Sequence, residues 1–203
     1  MLNQHIQTLL RNTSAQAFGF TTAAAPATPS YVGAVGTSGS SSLNLTGITG
    51  LAEGDIVVAC LSDDNNTVSV TSSGWTTIAS GDINAIDLVF AYKVMGATPD
   101  TSITVSNTID ALTATAFRDV EYESISSVGT DSGSTFSSPP SATVTQDDSI
   151  VLMLACLDDD NSTISSPSTG YTVAAENGRG GGSNAQMYKT GVSTGTESPS
   201  SYT

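Results

Sequence analysis

Basic charge is nearly absent from this 203-residue sequence. Arg11, Lys93, Arg118, Arg179 and Lys189 stand against nineteen acidic residues, for a formal charge of −14. Nucleic-acid binding needs a cationic footprint that releases counterions, so DNA and RNA are excluded as partners. Anionic membrane surfaces are disfavoured for the same reason. Histidine is reduced to His5, which removes the general-base and metal-triad schemes built on imidazole. No stretch approaches the roughly 20 consecutive apolar residues of a membrane-spanning helix. Aromatic residues make up 6% of the chain, with one tryptophan, and cysteine occurs only as Cys60 and Cys156.

Hydrophobic residues account for 38% of the sequence, and Ser, Thr, Gly, Asn and Asp fill the difference from an average globular chain. These residues favour turns and strand ends over helices. Compact apolar runs such as Ile56–Leu61 (IVVACL) nevertheless demand burial, which argues against disorder. From Tyr31 onward, short β-branched runs alternate with Gly, Pro, Asn, Asp and Ser clusters. Strands are predicted at residues 31–35, 43–48, 55–61, 67–71, 75–79, 86–94, 102–106 and 111–120. Further strands are predicted at 123–128, 142–145, 149–157, 171–175 and 185–190. No helix of ordinary length is expected after residue 30, and the fold class is all-β, an antiparallel, jelly-roll-like sandwich.

The first thirty residues differ. Leu2, Ile6, Leu9 and Leu10 recur at helical spacing, which predicts a short amphipathic helix that must dock on its own sandwich or on a partner. These four are the candidate partner-anchoring residues. Thr21–Ser30 (TTAAAPATPS) reads as an extended linker. Residues 1–30 are thus expected to be a helical or extended arm, and 31–203 the sandwich.

An internal duplication organises the remainder. Ala59–Asn65 (ACLSDDN) returns as Ala155–Asn161 (ACLDDDN), an offset of 96, and at that offset Gly74-Trp75-Thr76 matches Gly170-Tyr171-Thr172. Tyr92-Lys93 matches Tyr188-Lys189 likewise, while Val35-Gly36-Thr37 matches Val128-Gly129-Thr130 at an offset of 93. Two related units, about 31–122 and 123–203, are expected to close into one sandwich, because each alone buries too little surface. The second unit is one strand short, with no counterpart of Ala111–Val120 after its Tyr-Lys strand. Either the sequence is trimmed there, or another segment, such as one from a neighbouring chain, fills the gap by β-augmentation.

Gly54-Asp55, Gly74-Trp75-Thr76, Tyr92-Lys93 and Ala116-Phe117-Arg118, in that order, resemble virion structural proteins of marine and cyanobacterial phages. The resemblance covers about residues 31–203. It implies a non-enzymatic β-sandwich serving as capsid decoration, head-fibre or tail protein, and it carries no catalytic residues. The N-terminus has no basic region followed by an apolar stretch, so release by cell lysis fits better than signal-directed export. The expectation is a virion-surface decoration or head-fibre protein that contacts the major capsid protein or other virion proteins and forms a homo-oligomer. A tail fibre or receptor-binding protein that binds glycan, and an extracellular filament or adhesin subunit, are the alternatives.

Candidate chemistry is sparse. Asp63, Asp64, Asp158, Asp159 and Asp160, with Asn65 and Asn161, offer oxygen ligands that a hard cation such as calcium could take, in a spacing unlike any EF-hand. A solvated loop is the plainer reading, and no cofactor is expected. Gly129–Gly133 (GTDSG) echoes a serine nucleophile loop but reads as a turn without a histidine partner. Cys60 and Cys156 occupy equivalent mid-strand positions, where two buried thiols are preferred over a disulfide. Trp75 and Tyr171 are expected to pack at strand starts, with an exposed glycan-stacking platform as the alternative. Lys93 and Arg118 are expected to pair with nearby carboxylates.

Overall fold

In the computed structural model, the described residues are 3–12, 27–64, 66–83, 86–131, 136–137, 139–158, 163–179 and 181–203. Among these residues run twelve strands: β1 (Asn3–Asn12), β2 (Ser30–Asn44), β3 (Ile56–Asp63), β4 (Thr76–Ile83), β5 (Ile86–Val94) and β6 (Ser102–Arg118). They continue with β7 (Val120–Asp131), β8 (Ala142–Val144), β9 (Ser149–Asp158), β10 (Thr172–Arg179), β11 (Gly182–Val192) and β12 (Gly195–Glu197). One five-stranded sheet runs β2-β6-β3-β5-β4, a second runs β10-β11-β9-β1-β7, and β12-β8 forms a two-stranded pair. Every pairing is antiparallel. The all-β sandwich is therefore the architecture. The long strands of each repeat stay within one five-stranded sheet, however, and β8 and β12 pair apart from both, so the likeness to a jelly roll extends only to the two packed layers.

The two sheets correspond strand for strand. Repeat one builds the first sheet alone, and repeat two supplies β7, β9, β10 and β11 in the positions of β2, β3, β4 and β5. The position of the second half of β6 is taken by β1. In the first sheet Phe117 to Ala111 pair with Ile56 to Ser62; in the second, Leu10 to Gln4 pair with Ile150 to Cys156. On its other side β1 pairs with β7, from Asn3 opposite Asp131 to Asn12 opposite Val120.

This corrects the helical reading of the leader, whose residues 3–12 are extended. A ten-residue helix is marginal in water, whereas a slot between two strands satisfies the backbone groups of all three. The missing strand of the second unit is thus supplied by the chain's own first segment. Smaller expectations also change: the strand expected at 43–48 stops at Asn44 and gives way to a 3-10 turn, Leu45–Gly47. Residues 67–71 form only an isolated bridge, Val70 with Val105, and the stretches at 102–106 and 111–120 merge into β6, which ends at Arg118.

Three buried clusters explain why the central strands are apolar on both faces. Between the sheets lie Ile56, Val58, Cys60, Leu88, Phe90 and Phe117, packed with Ile150, Leu152, Leu154 and Cys156. On the far side of the first sheet, Val57, Ala59 and Leu61 pack under Leu45, Ile48 and Val68 from the connecting segments. Val151, Met153 and Ala155 are covered in the same way by Phe136, Tyr171 and Tyr202. A strand covered on both faces reads as a continuous apolar run rather than an alternation. The chain turns from one sheet to the other at Asp119, a single residue with φ of 59° between β6 and β7.

Candidate functional surfaces

The contacts between the repeats are reciprocal. Tyr31 on β2 stacks on Tyr188 of β11 with centroids 4.6 Å apart, and Tyr92 on β5 stacks on Tyr122 of β7 at the same 4.6 Å. Because β2 corresponds to β7 and β5 to β11, the two stacks are one contact made twice about an approximate two-fold axis, the rule of an isologous interface. The duplication legible in the sequence is therefore a pseudo-dimer within one chain.

That symmetry is broken by polarity. At the offset of 96, Leu88 and Phe90 of repeat one correspond to Asn184 and Gln186 of repeat two, all of them buried. The Thr113 hydroxyl donates to Asn184 Oδ1 (2.8 Å), and Asn184 Nδ2 donates to the Cys60 carbonyl (3.1 Å). Gln186 Nε2 donates to the Val58 carbonyl (3.3 Å) and to Thr113 Oγ1 (3.0 Å). Buried hydrogen-bonded side chains set the register between packed layers more sharply than apolar contact does. Sequence reading missed these residues. The signal was Asn and Gln standing where the first repeat carries Leu and Phe.

The expected carboxylate cluster exists in part, with a member that the sequence did not indicate. Asp63 at the end of β3, Asp64 just beyond it and Asp110 on β6 bring ligand atoms within 4.8 Å of one another. They meet because Ser62 pairs with Ala111, which sets the end of β3 beside that point of β6. Asp63 Oδ1 accepts the Asn66 amide N–H (2.7 Å) and side-chain N–H (3.0 Å), and Asp110 Oδ2 accepts the Asp64 N–H (3.1 Å). Burial, with the charges of Asp63 and Asp64, pushes the Asp110 carboxyl above its ordinary value against the pull of the Asp64 N–H.

The start of β11 passes close over this cluster. A Cβ on Gly181, where φ is 120°, would lie 2.5 Å from Asp64 Oδ2, so only glycine fits there. Asp158 ends β9 with its backbone opposite Gly182, while Asn65, Asp159, Asp160 and Asn161 lie outside the described residues. The three gathered carboxylates have the oxygen chemistry of a hard-cation site. Their hydrogen bonds also account for them as organisers of the loop.

Lys93 and Arg118 pair with carboxylates, as expected. Lys93 Nζ donates to Asp100 Oδ1 (2.9 Å), Asp100 Oδ2 (2.7 Å) and the Ser73 carbonyl (3.0 Å), which uses all three ammonium protons. It lies in an open groove of about 510 Å³ lined with hydroxyls, among them Ser72, Thr98, Thr101 and Ser102. Its counterpart Lys189 bonds Glu197 Oε1 at 2.9 Å, and the same oxygen accepts the Tyr171 hydroxyl at 3.3 Å. Arg118 clamps the buried Asp55 through Nε (2.8 Å) and a terminal nitrogen (2.8 Å), and that nitrogen also reaches the Gly50 carbonyl.

Trp75 is half-buried against the outer core of the first sheet and Tyr171 is buried in that of the second, which is packing rather than a stacking platform. Gly129–Asp131 lie on β7 rather than in a turn, and Ser132 and Gly133 are outside the described residues. Ile6, Leu9 and Leu10 lie on β1, with backbones opposite Leu154, Val151 and Ile150; Leu2 is outside the described residues. No family model matches the chain, and no curated protein or solved structure shows significant similarity to it.

Proposed function

We propose that this protein is a non-enzymatic structural component of a phage virion, displayed on the particle surface as a capsid decoration or head-fibre protein. The observation that carries the reading is the pseudo-dimer, two repeats locked face to face by reciprocal tyrosine stacks and a buried core. Such a body suits a rigid display brick. The resemblance of Gly54-Asp55, Gly74-Trp75-Thr76, Tyr92-Lys93 and Ala116-Phe117-Arg118 to phage virion proteins supplies the context. A charge of −14 keeps crowded copies soluble, and salt screens their mutual repulsion. The partners are the major capsid protein or other virion proteins and further copies of the chain, and no cofactor is assigned.

Quantitative mass spectrometry of heads and tails separated from purified particles tests this reading. Enrichment with heads supports it. Enrichment with tails favours the tail-fibre or receptor-binding alternative. Absence from particles, with protein recovered as extracellular polymer, favours the filament alternative.

A further inference from the structure

We propose that β1 is an exchangeable donor strand, which in assemblies completes the sheet of a second copy of this chain. The proposal rests on where β1 sits and how it is tethered, and it is independent of the virion reading. In the first sheet the strand at this position, the second half of β6, continues directly from residues already paired with β2. In the second sheet the slot between β9 and β7 is filled from far away in sequence, since β1 ends at Asn12 while β7 begins at Val120 and β9 at Ser149. Residues 198–203, which follow β12, do not enter the slot. Tyr202 instead exchanges backbone hydrogen bonds with Phe136 and stacks on its ring at 5.4 Å.

The slot cannot stay open cheaply. Without β1, the facing edges of β9 and β7 would each present unpaired N–H and C=O groups across a gap one strand wide. Any extended segment of the right register satisfies both edges, and among the described residues the segment that does so is β1.

The tether is far longer than closure on its own chain requires. Asn12 pairs with Val120 and Ser30 pairs with Arg118, and only Asp119 separates those two partners. Adding two strand spacings to that short step puts the tether's ends at most about 18 Å apart. Residues 13–29, which join them, can reach about 55–60 Å when extended. The surplus is enough for β1 to enter the slot of a neighbouring copy while the rest of its own chain stays folded. Own-chain and exchanged forms make the same strand pairings, so concentration decides between them. Being joined to its own chain holds β1 near its own slot at an effective concentration on the order of millimolar. Dilute protein is therefore a closed monomer, and copies packed densely exchange strands. Reciprocal exchange gives a dimer, and head-to-tail exchange gives a chain of copies.

The test uses full-length protein carrying the photo-crosslinking substitution Asn3→benzoylphenylalanine, at the end of β1 opposite Asp131. Equal amounts of ordinary and nitrogen-15-labelled chains are held together at about 1 mM, the scale of the effective concentration, then diluted, separated by size and illuminated. In the oligomer fraction, about half of the peptides joining position 3 to β7 should pair light with heavy, as random exchange requires, and in the monomer fraction almost none. Single-isotope pairs throughout, or no oligomer, would overturn the proposal. A second measurement adds a labelled peptide of residues 1–14 to unmodified protein. Slow incorporation that the Thr8→Pro peptide does not reproduce is expected, because proline cannot complete the ladder. Failure of the unmodified peptide to enter would also overturn it.

Discussion

Cys60 Sγ and Cys156 Sγ lie 3.6 Å apart in the buried layer between the two sheets, each at the same position of its own repeat. Equivalent residues of two symmetric units touch each other only on the symmetry axis. The two sulfurs therefore mark where the pseudo-two-fold axis passes. Both are free thiols, and burial together with the neighbouring sulfur pushes the Cys60 thiol well above its usual range. A thiol held neutral and enclosed is a poor nucleophile. The native protein should resist alkylation by a thiol reagent and react at both cysteines once unfolded in urea. Cys60→Ala should cost about 1–2 kcal/mol in urea denaturation, and the double variant with Cys156→Ala less than the sum, because the two share one cavity.

Stability should decline on the alkaline side. Burial raises the Cys60 thiol and the hydroxyls of Tyr31, Tyr122, Tyr171 and Tyr188 above their ordinary values. Each of these groups is neutral when protonated, so above its unfolded value the unfolded chain loses the proton first and the native state binds more protons. Stability then falls with rising pH, beginning above about 8.5 for cysteine and above about 10 for tyrosine. Melting temperatures measured from pH 6 to 11 should be level near neutrality and drop above that point. The Cys60→Ala variant should show a smaller drop in the first part of that range.

The polar seam gives a double-mutant cycle. Asn184→Leu removes the acceptor of the Thr113 hydroxyl and the donor to the Cys60 carbonyl, and should cost about 2 kcal/mol through buried groups left unpaired. Adding Thr113→Val removes one of those stranded groups, so part of the loss should return. Purely additive losses in chemical denaturation would mean that the hydrogen bond contributes nothing of its own.

Arg118 should matter more than its partly exposed position suggests. Its partner Asp55 is fully buried, and truncating Arg118 to Ala would leave that carboxylate with the Ala52 N–H still donating to it but no cation beside it. A loss of about 3 kcal/mol is expected, and Asp55→Asn combined with Arg118→Ala should recover some of it. Thermal unfolding of the single and double variants checks this.

Asp110 runs the other way. Its carboxyl is raised by burial and by two neighbouring aspartates, so its charged form costs stability at neutral pH. Asp110→Asn keeps an acceptor for the Asp64 N–H and removes the charge, and should stabilise by under about 1 kcal/mol given its exposure. A lowered melting temperature at pH 7 would show that the cluster needs that charge.

Much of this protein was legible residue by residue. The alternation of β-branched runs with turn clusters determined the all-β class, and Ile86–Val94 was read with both ends correct. The repeated ACLSDDN, GWT and YK segments determined the duplication, and the scarcity of basic side chains meant that Lys93 and Arg118 would find carboxylates. These are local signals, carried by neighbours in the chain. Which strands pair across more than a hundred residues was decided only by the tertiary structure, because pairing depends on which edges are left unsatisfied once the other strands have assembled. Leu2, Ile6, Leu9 and Leu10 have a spacing that a helix accepts, and the second unit was plainly a strand short. Only the assembled sheet joins those two facts, since the open ladder between β9 and β7 offers residues 3–12 hydrogen bonds on both sides that a short solvated helix cannot match. The pseudo-two-fold axis, the facing sulfurs and the approach of Asp110 to Asp63 and Asp64 follow from the same assembly.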